Sequence, residues 1–593
     1  MSHYIIAFTV AFLLSLFLTP LVRLFALKIG FIAYPRADRW HKHPTALLGG
    51  IGIYLAAVIT ILFVLPLDRN ILGLLCGSTL LFLVGLADDR YKFTPYVKLF
   101  LQILACGIAV FFGITVTVPF YHLFSVPLTL LWIVGVTNSF NLLDNIDGLS
   151  AGIAAITSFM LFVTSLIFSN NPLGIVALIL AGAALGFLPY NFNPAKIFMG
   201  DSGSMFLGYS LAVISVIGTS RHITNLFVTM FVPVLILCVP IFDTIFVVIG
   251  RKTQGKKIFE GGKDHTSHRL VTLGLTQRKA VLLLYLISLV FGFIGISYLR
   301  LDFYMVSIIA FLAIVILLYF GIFLFEGTSY GKDASLINRS EKNNSQAIMF
   351  TSVFMHKRRI IEVLLDFSFI CIAYYGAYFL RFEKGLFLSN FALLKESILW
   401  IILIKMSIFF IFGLYRGTWK YIGISDFFTI FKVTTFGSFA SVLFLTFAFR
   451  FREYSRAVFV IDWLLLFFLI MGSRFVFRIL GEFFSRVRPP GKKILIFGAG
   501  DMGEMLAREI KRNKALGYTM VGFVDDDPKK IGMQIHGTRV LGSRANLKRI
   551  IKDKGVEELI IAISKINPDE IKDIVTVCEE NEIAYRRIKG ILD

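Results

Sequence analysis

The chain has 593 residues, 57% of them hydrophobic and 16% charged, with a mean hydropathy of +0.78 and a net charge of +21. This composition excludes a large soluble protein and describes a polytopic membrane protein. The positive charge fits a membrane face resting on anionic lipid and attracting a polyanionic substrate; nucleic acid is excluded as a partner because no basic soluble domain of the usual kinds is present.

A spanning helix needs roughly 20 apolar residues. The first such segment, Tyr4 to Leu27, is too long for a signal-peptide core and lacks a small-residue cleavage site, so it is read as a membrane helix. Further spans are predicted near 48–66, 71–87, 97–113, 123–141, 148–168, 173–190, 202–219, 224–249, 279–298 and 303–325. Four more follow near 359–380, 392–414, 428–449 and 456–472, for about 15 in all.

Lysine and arginine in short loops set the orientation. The 28–47 connection holds Lys28, Arg36, Arg39 and Lys42, and the 250–279 connection holds Arg251, Lys252, Lys256, Lys257, Lys263, Arg269, Arg278 and Lys279. Parity puts both loops on one side, which is therefore cytoplasmic. The expectation is a multi-pass protein of a bacterial-type inner (plasma) membrane, N-terminus outside, with the site and the C-terminal domain cytoplasmic.

The domains read as 1–326, an eleven-helix membrane domain; 327–357, a polar cytoplasmic linker around Lys342, Asn343 and Asn344; 358–480, a four-helix membrane domain; and 485–593, a soluble α/β domain. Cys76, Cys106, Cys238, Cys371 and Cys578 have neither metal-binding nor disulfide spacing and read as packing residues.

Between Ile71 and Gly250 the six acidic residues are all aspartates: Asp88, Asp89, Asp144, Asp147, Asp201 and Asp243. Carboxylates are costly in such apolar sequence and mark function. The span count brings all six to one membrane face, where oxygen ligands suggest a hard cation such as Mg2+, and with it phosphate chemistry.

Asp88 and Asp89 end the third span, where a solvated helix end is the plainer reading. Asn138, Asn141 and Asp144 recur every three residues and share a helix face, with Asp147-Gly148 following. Asn191 precedes Pro194 and the Gly200-Asp201-Ser202-Gly203 run, where Asp201 stands at a helix start suited either to capping or to phosphate. His265, His268 and Arg269 lie in the basic loop. No further ligand completes a zinc site there, and hydrogen bonding to phosphate or sugar is the better reading.

In this order and on this side, the four clusters resemble the polyprenyl-phosphate N-acetylhexosamine-1-phosphate transferases, the family of MraY, WecA and TagO, over about residues 1–325. Asp38 to Pro44, ending in Gly49-Gly50, looks like the family's first cytoplasmic loop, departing at Ala46 where a second proline is common. The resemblance implies that Asn141 and Asp201 hold Mg2+, with Mn2+ the alternative. It places Asp88 and Asp89 at the lipid phosphate, Asp88 being the candidate base. Asp144 and Asp147 would border the nucleotide pocket, Asn191 would orient groups near the metal, and His265, His268 and Arg269 would contact pyrophosphate or sugar. The implied substrates are a UDP-N-acetylhexosamine and a polyprenyl phosphate. Asp243 receives no role.

Residues from about 356 onward resemble the membrane-bound, CapD- or PglF-like nucleotide-sugar dehydratases and epimerases of polysaccharide biosynthesis. The matching residues are Leu380-Arg381-Phe382, Gly413-Leu414-Tyr415-Arg416 with Trp419, and Gly472-Ser473-Arg474. A strand at Lys493 to Phe497, then Gly498, Gly500 and Gly503 opening a helix, and Asp525 after a second strand at Met520 to Val524, form a dinucleotide fingerprint for NAD or a nucleotide-sugar. The catalytic domain that follows in that family is absent here, and Tyr585 to Lys589 is a coincidental Tyr-x-x-x-Lys on a strand. The module binds a nucleotide, docks a partner glycan-modifying enzyme, or carries no ligand; a homodimer is a further expected arrangement. Two alternatives stay open for the whole chain, a nucleotide-sugar-modifying membrane enzyme and a nucleotide-sensing membrane protein.

Overall fold

The computed structural model describes residues 2–34, 44–116, 122–167, 171–220, 226–254, 262, 264–336, 344–382, 384–415, 424–450, 454–486, 491–512, 518–563 and 568–587. Several residues singled out above lie outside these: Asp38 to His43 with Arg36, and Lys256, Lys257, Lys263, Lys342, Asn343, Arg416, Trp419 and Lys589.

The chain begins with α1 (Ser2–Lys28), a short antiparallel pair β1 (Ile32–Ala33) and β2 (Thr45–Ala46), then α2 (Gly49–Val64), α3 (Arg69–Tyr91), α4 (Pro95–Phe111), α5 (His122–Leu143), α6 (Leu149–Ile167), α7 (Asn171–Asn191) and α8 (Gly200–Ser220). It continues through α9 (Leu226–Ile236), α10 (Cys238–Thr253), the short α11 (Thr266–Thr272), α12 (Gln277–Ser297) and α13 (Phe303–Leu336). The second group is α14 (Asn344–Arg381), α15 (Lys384–Ile411), α16 (Ile424–Phe449) and α17 (Arg456–Arg486).

Among the described residues 11 helices are long and apolar enough to span a membrane, or 12 if the bent pair α9 and α10 is one span. The protein is a polytopic membrane protein. The other three predicted spans fall on α2 and α4, of 16 and 17 residues, and on α15.

Two sequence expectations change. The single span read at 224–249 is two helices meeting at 81°. Pro240 has no N–H to donate to Ile236, so the helical ladder breaks there. The linker read at 327–357 is helical wherever it is described, as the end of α13 and the start of α14.

The polar interruptions have local causes. Asp68 caps α3 by accepting from the Ile71 N–H at 2.7 Å, and Pro95 opens α4 where its missing donor costs nothing. α8 is the most enclosed span and packs against α2, α3, α5 and α6, so its N-terminus is fixed from several sides. α13 belongs to two cores: Gly321 lies against Phe242 and Phe246 of α10, while Val315 joins the buried cluster of α14 to α17. That cluster also encloses two ion pairs, Lys405 with Asp462 and Arg474 with Asp366.

The C-terminal unit is a six-stranded sheet in the order β5-β6-β4-β3-β7-β8, parallel except at β5. Its strands are β3 (Lys492–Phe497), β4 (Tyr518–Val524), β5 (Gln534–Ile535), β6 (Thr538–Gly542), β7 (Glu558–Ile561) and β8 (Ala584–Arg587). Helix α18 (Asp501–Arg512) follows β3, α19 (Leu547–Lys554) follows β6, and α20 (Pro568–Glu580) follows β7. Ile494 and Ile496 pack with α18 on one face, and Leu495 and Phe497 pack with α19 and α20 on the other. A strand buried on both faces reads as a continuous apolar run, which is why β3 was legible.

Candidate active site

The aspartates do come to helix ends. Asp88 and Asp89 end α3, Asn141 lies in the last turn of α5, and Asp201 in the first turn of α8. Gly85 permits this: a Cβ there would lie 2.5 Å from the Asp201 carbonyl oxygen and from the Ser202 nitrogen and Cα. The α3 and α8 backbones therefore touch one turn before the carboxylates.

Asp88 is buried, and its Oδ1 accepts from the Phe93 N–H at 2.6 Å. Its Oδ2 pairs with the Lys98 ammonium of α4, which also donates to Asp201 Oδ2 at 2.7 Å. The Asp88 carboxyl group and the Asn141 side chain both lie close to the Asp201 carboxylate. Asn141 also donates to Ser204 Oγ at 3.1 Å.

Asp89 has a different place from its neighbour. Its two oxygens accept from the backbone N–H groups of Asp201 at 2.9 Å and Ser202 at 3.3 Å, so it caps α8 from α3. Asp201, expected as the possible cap of its own helix, is thereby left with its carboxylate turned to Lys98 and Asn141.

Counted as full ions, Asp88, Asp89 and Asp201 against Lys98 leave two negative charges in a poorly solvated corner. Such a cluster fits a divalent cation, because like carboxylates this close repel strongly unless a cation lies among them. The donors are hard oxygens, two of them carboxylates, as suits Mg2+, which usually completes its shell with water and substrate phosphate. No group of three or more His, Cys, Asp or Glu side chains forms a closed metal site among the described residues.

The Asn138 to Gly148 run divides. Asn138 exchanges hydrogen bonds with Gln102 of α4, at 2.8 and 3.1 Å, and is a helix-packing residue. Asp144 is half-buried just past α5. Asp147 Oδ2 accepts from Asn193 Nδ2 and from the Ala195 N–H, both at 3.0 Å. Asn191 accepts from the Gly148 N–H at 3.1 Å and donates to the Ile197 carbonyl at 3.0 Å. Asp147 and Asn191 thus hold the 191–200 connection in place, and through it the start of α8. The same connection meets β2, whose Ala46 carbonyl accepts from Phe198 at 2.9 Å.

The histidine loop is also built on bonds between its own residues and neighbouring helices. Arg269 lies with its guanidinium carbon 5.1 Å from the Phe246 ring centre and 4.8 Å from that of Phe325, and its Nε donates to the Asp264 carbonyl at 3.0 Å. These contacts anchor the loop against α10 and α13. His265 and His268 meet edge to face, ring centres 5.8 Å apart. Ser267 Oγ donates to Asn145 Oδ1 at 2.6 Å, tying α11 to the Asn141–Asp147 run.

Sequence reasoning misses Lys98 and leaves Asp243 without a role. Lys98 falls inside a predicted span, and its position one turn into α4 after Pro95 is the available signal. Asp243 pairs with His265 across 22 residues, which no local pattern announces.

In the α/β unit, Gly498 has φ +111°, and a Cβ on Gly503 would lie 1.9 Å from the Gly498 carbonyl oxygen, so helix and loop close only with glycine at both. Nothing lies within 4 Å of a Cβ on Gly500. Asp525, the acidic residue of the fingerprint, turns onto the loop, accepting from the Ala499 N–H at 2.7 Å, the Asp527 N–H at 2.9 Å and Lys530 at 3.2 Å. Burial pushes its carboxyl up, but these donors outweigh it and hold it below the usual carboxylate range. Asp501 and Glu504 occupy the first turn of α18. The fold is a mostly parallel sheet with helices on both faces, and the corner beside its glycine loop is acidic, with the Asp525 carboxylate already engaged. These residues do not fit a dinucleotide pyrophosphate as they stand.

Comparison with known proteins follows the same division. Residues 71–219 match glycosyl transferase family 4, and residues 411–588 match a CoA-binding domain. The chain is similar to the probable undecaprenyl-phosphate N-acetylglucosaminyl 1-phosphate transferase of Bacillus subtilis (strain 168), at 35% identity over 302 residues, 49% of this chain and 84% of that protein. It is similar to the decaprenyl-phosphate N-acetylglucosaminephosphotransferase of Mycolicibacterium smegmatis, at 31% over 313 residues, 46% of this chain and 77% of that one. A phospho-N-acetylmuramoyl-pentapeptide-transferase of Limosilactobacillus reuteri is 32% identical over 317 residues, 48% of this chain and 94% of that one.

Proposed function

The chain belongs to the polyprenyl-phosphate sugar-1-phosphate transferases of glycosyl transferase family 4, fused to a polysaccharide-biosynthesis module, and on that premise we propose that it moves an N-acetylhexosamine-1-phosphate from a UDP-sugar to a polyprenyl phosphate. UDP-N-acetylglucosamine is the first donor to test, undecaprenyl phosphate the first acceptor. The product is a polyprenyl-diphosphate sugar that starts a lipid-linked surface glycan. The observation that carries the reading is the meeting of Asp88, Asp201, Asn141 and Lys98 at adjoining helix ends.

A phosphate oxygen of the lipid attacks the β-phosphorus of the UDP-sugar. The new P–O bond forms as the bond from the β-phosphorus to the bridging oxygen breaks, and UMP leaves with that electron pair. Two anions must meet, so the site needs fixed positive charge and exact placement more than acid–base chemistry. Bound Mg2+, or Mn2+ in its place, supplies charge neutralisation and a template for the phosphates. Asp201 and Asn141 are its proposed protein ligands.

Lys98 orients the Asp88 and Asp201 carboxylates and adds a cation beside the phosphates. A phosphate monoester has its second pKa near ~6, so the acceptor is largely dianionic at neutral pH. Asp88 therefore acts in orientation more than as a base. Asp89 fixes the start of α8. Asp144 borders the nucleotide, with Asp147 and Asn191 holding the adjoining connection. His265 and His268 reach the donor's pyrophosphate or sugar, and Arg269 anchors their loop.

The N-terminus is placed outside and the site in the cytoplasm of a bacterial cell, where UDP-sugars are made. The C-terminal unit is read as a docking or regulatory module on the same side.

The test is direct. Purified protein is given UDP-N-acetylhexosamines, undecaprenyl phosphate and Mg2+, and UMP is measured. Folded protein that releases no UMP with any of these donors refutes the reading.

A further inference from the structure

Asp243 is 1% exposed in α10, and three hydrogen bonds account for its carboxylate. Oδ2 lies 2.8 Å from His265 Nδ1, while Oδ1 accepts from the Thr266 N–H at 2.8 Å and the Thr266 hydroxyl at 2.7 Å. Capping α11 requires no charge, since Ser, Thr and Asn cap helices as well as Asp does. The part of the arrangement that needs an acceptor without protons is the bond to the ring.

An ionised carboxylate has no hydrogen to give, so Nδ1 carries the proton. Nε2 is then the free end of the ring, and no described residue bonds to it. The ring is held on a second side by His268. Through the Ser267 to Asn145 bond at 2.6 Å, the whole helix start is tied beside the run proposed to border the donor nucleotide.

We infer that Asp243 is a positioning residue, which fixes the ring of His265 so that Nε2 meets the diphosphate of the nucleotide-sugar donor. This rests on the transferase reading above. With a proton also on Nε2 the ring donates to a phosphate oxygen, and the Asp243 carboxylate offsets the ring's charge. Asp243→Asn keeps an oxygen for the Thr266 N–H but turns an NH2 group toward Nδ1. That reverses the tautomer and removes the balancing charge, much as an amide in place of a triad aspartate does.

The experiment is a double-mutant cycle on the full chain in detergent, read as UMP release. Asp243→Asn and His265→Gln should each lower kcat/KM by about 10²-fold, within the usual range for a positioned proton-carrying group. The double variant should lose no more than about threefold beyond His265→Gln alone, since the residues act as one unit. Asp243→Glu, which restores the carboxylate, should recover part of the loss. Thr266→Val, which removes one capping bond and leaves the ring's partner, should stay within about threefold of wild type.

Losses that multiply in the double variant would overturn the inference, as would wild-type turnover in Asp243→Asn. A Thr266→Val loss of about 10²-fold would assign the effect to the cap and also overturn it, and this arm holds even if Asp243→Asn does not fold. Wild-type protein that releases no UMP overturns the transferase reading and this inference together.

Discussion

Gly85→Ala is the sharpest probe of the site, because it changes no polar group. The added methyl would lie 2.5 Å from the Asp201 carbonyl oxygen and from the Ser202 nitrogen and Cα, where ordinary contact begins at 3.4 Å. All three are backbone atoms, so no side chain can rotate away. The start of α8 must retreat from α3 by about 0.9 Å, the difference between those distances. Overpacking of this kind costs about 1–3 kcal/mol. The retreat also carries Asp201 away from Lys98, now 2.7 Å distant, and loosens the Asp89 cap. Misplacing reacting groups by about 1 Å lowers a rate by about 10²-fold, and that is the expected loss in UMP release. Gly135→Ala on α5 is the matched control, since nothing lies within 4 Å of a Cβ there, and it should turn over as wild type does. Initial rates of both variants at saturating Mg2+ and substrates make the comparison. Equal activity in the two would refute the claim that the contact of α3 with α8 sets the geometry of the site.

Lys98→Met should lower kcat by about 10²–10³-fold, the usual cost of removing a preorganised charge-stabilising group, while the Mg2+ concentration for half-maximal rate falls. A rise in that concentration would show that Lys98 helps the metal instead of competing with it for Asp88 and Asp201. Chelation with EDTA should abolish UMP release, and Mg2+ or Mn2+ should restore it; full activity in EDTA removes the metal from the scheme. For Asp525 the sign follows from its lowered pKa. Its contribution to stability is present above the unfolded carboxylate value of about 3.9 and is lost as pH falls through the lower folded value. Hydrogen exchange of β3 and β4 peptides should therefore report constant protection from neutral pH to about pH 5, then a decline below about pH 4 that Asp525→Asn lacks. Protection already falling near pH 6 would contradict this.

What the sequence made legible is the set of helix ends, and what it concealed is which partner each polar side chain has. Asp201 stands out because a carboxylate follows glycine at the start of an apolar span, and its carboxylate faces the Lys98 ammonium. Asp89 looks identical to Asp88 in sequence, yet its bonds run to backbone groups 112 and 113 residues away. Asn138, Asn141 and Asp144 share one helical face by spacing, but Gln102 of α4 takes Asn138 out of the set. Arg269 lies against two phenylalanines from different helices, a contact invisible to local pattern. The sheet of the C-terminal unit was easier, because continuous apolar strands and a glycine loop are local signals.

A polar residue in an apolar helix must have a partner, but the rule does not say whether that partner is protein or ligand. Asn191 and Asp89 find theirs in backbone N–H and carbonyl groups of helix starts and connecting segments, and Asp147 and Asp243 each combine one such bond with side-chain partners. Those segments are where the chain must stay rigid, since the phosphates are to be held by groups at their ends. Asp88, Asp201 and Lys98 bond side chain to side chain, with Asn141 close by, and so keep groups that can turn to an incoming ion. Division between backbone-anchored and mutually bonded polar residues separates the frame from the reacting centre. On that criterion the six aspartates divide, with Asp88 and Asp201 at the centre, Asp89 in the frame, Asp147 and Asp243 bonded to both kinds of group, and Asp144 at the turn between them.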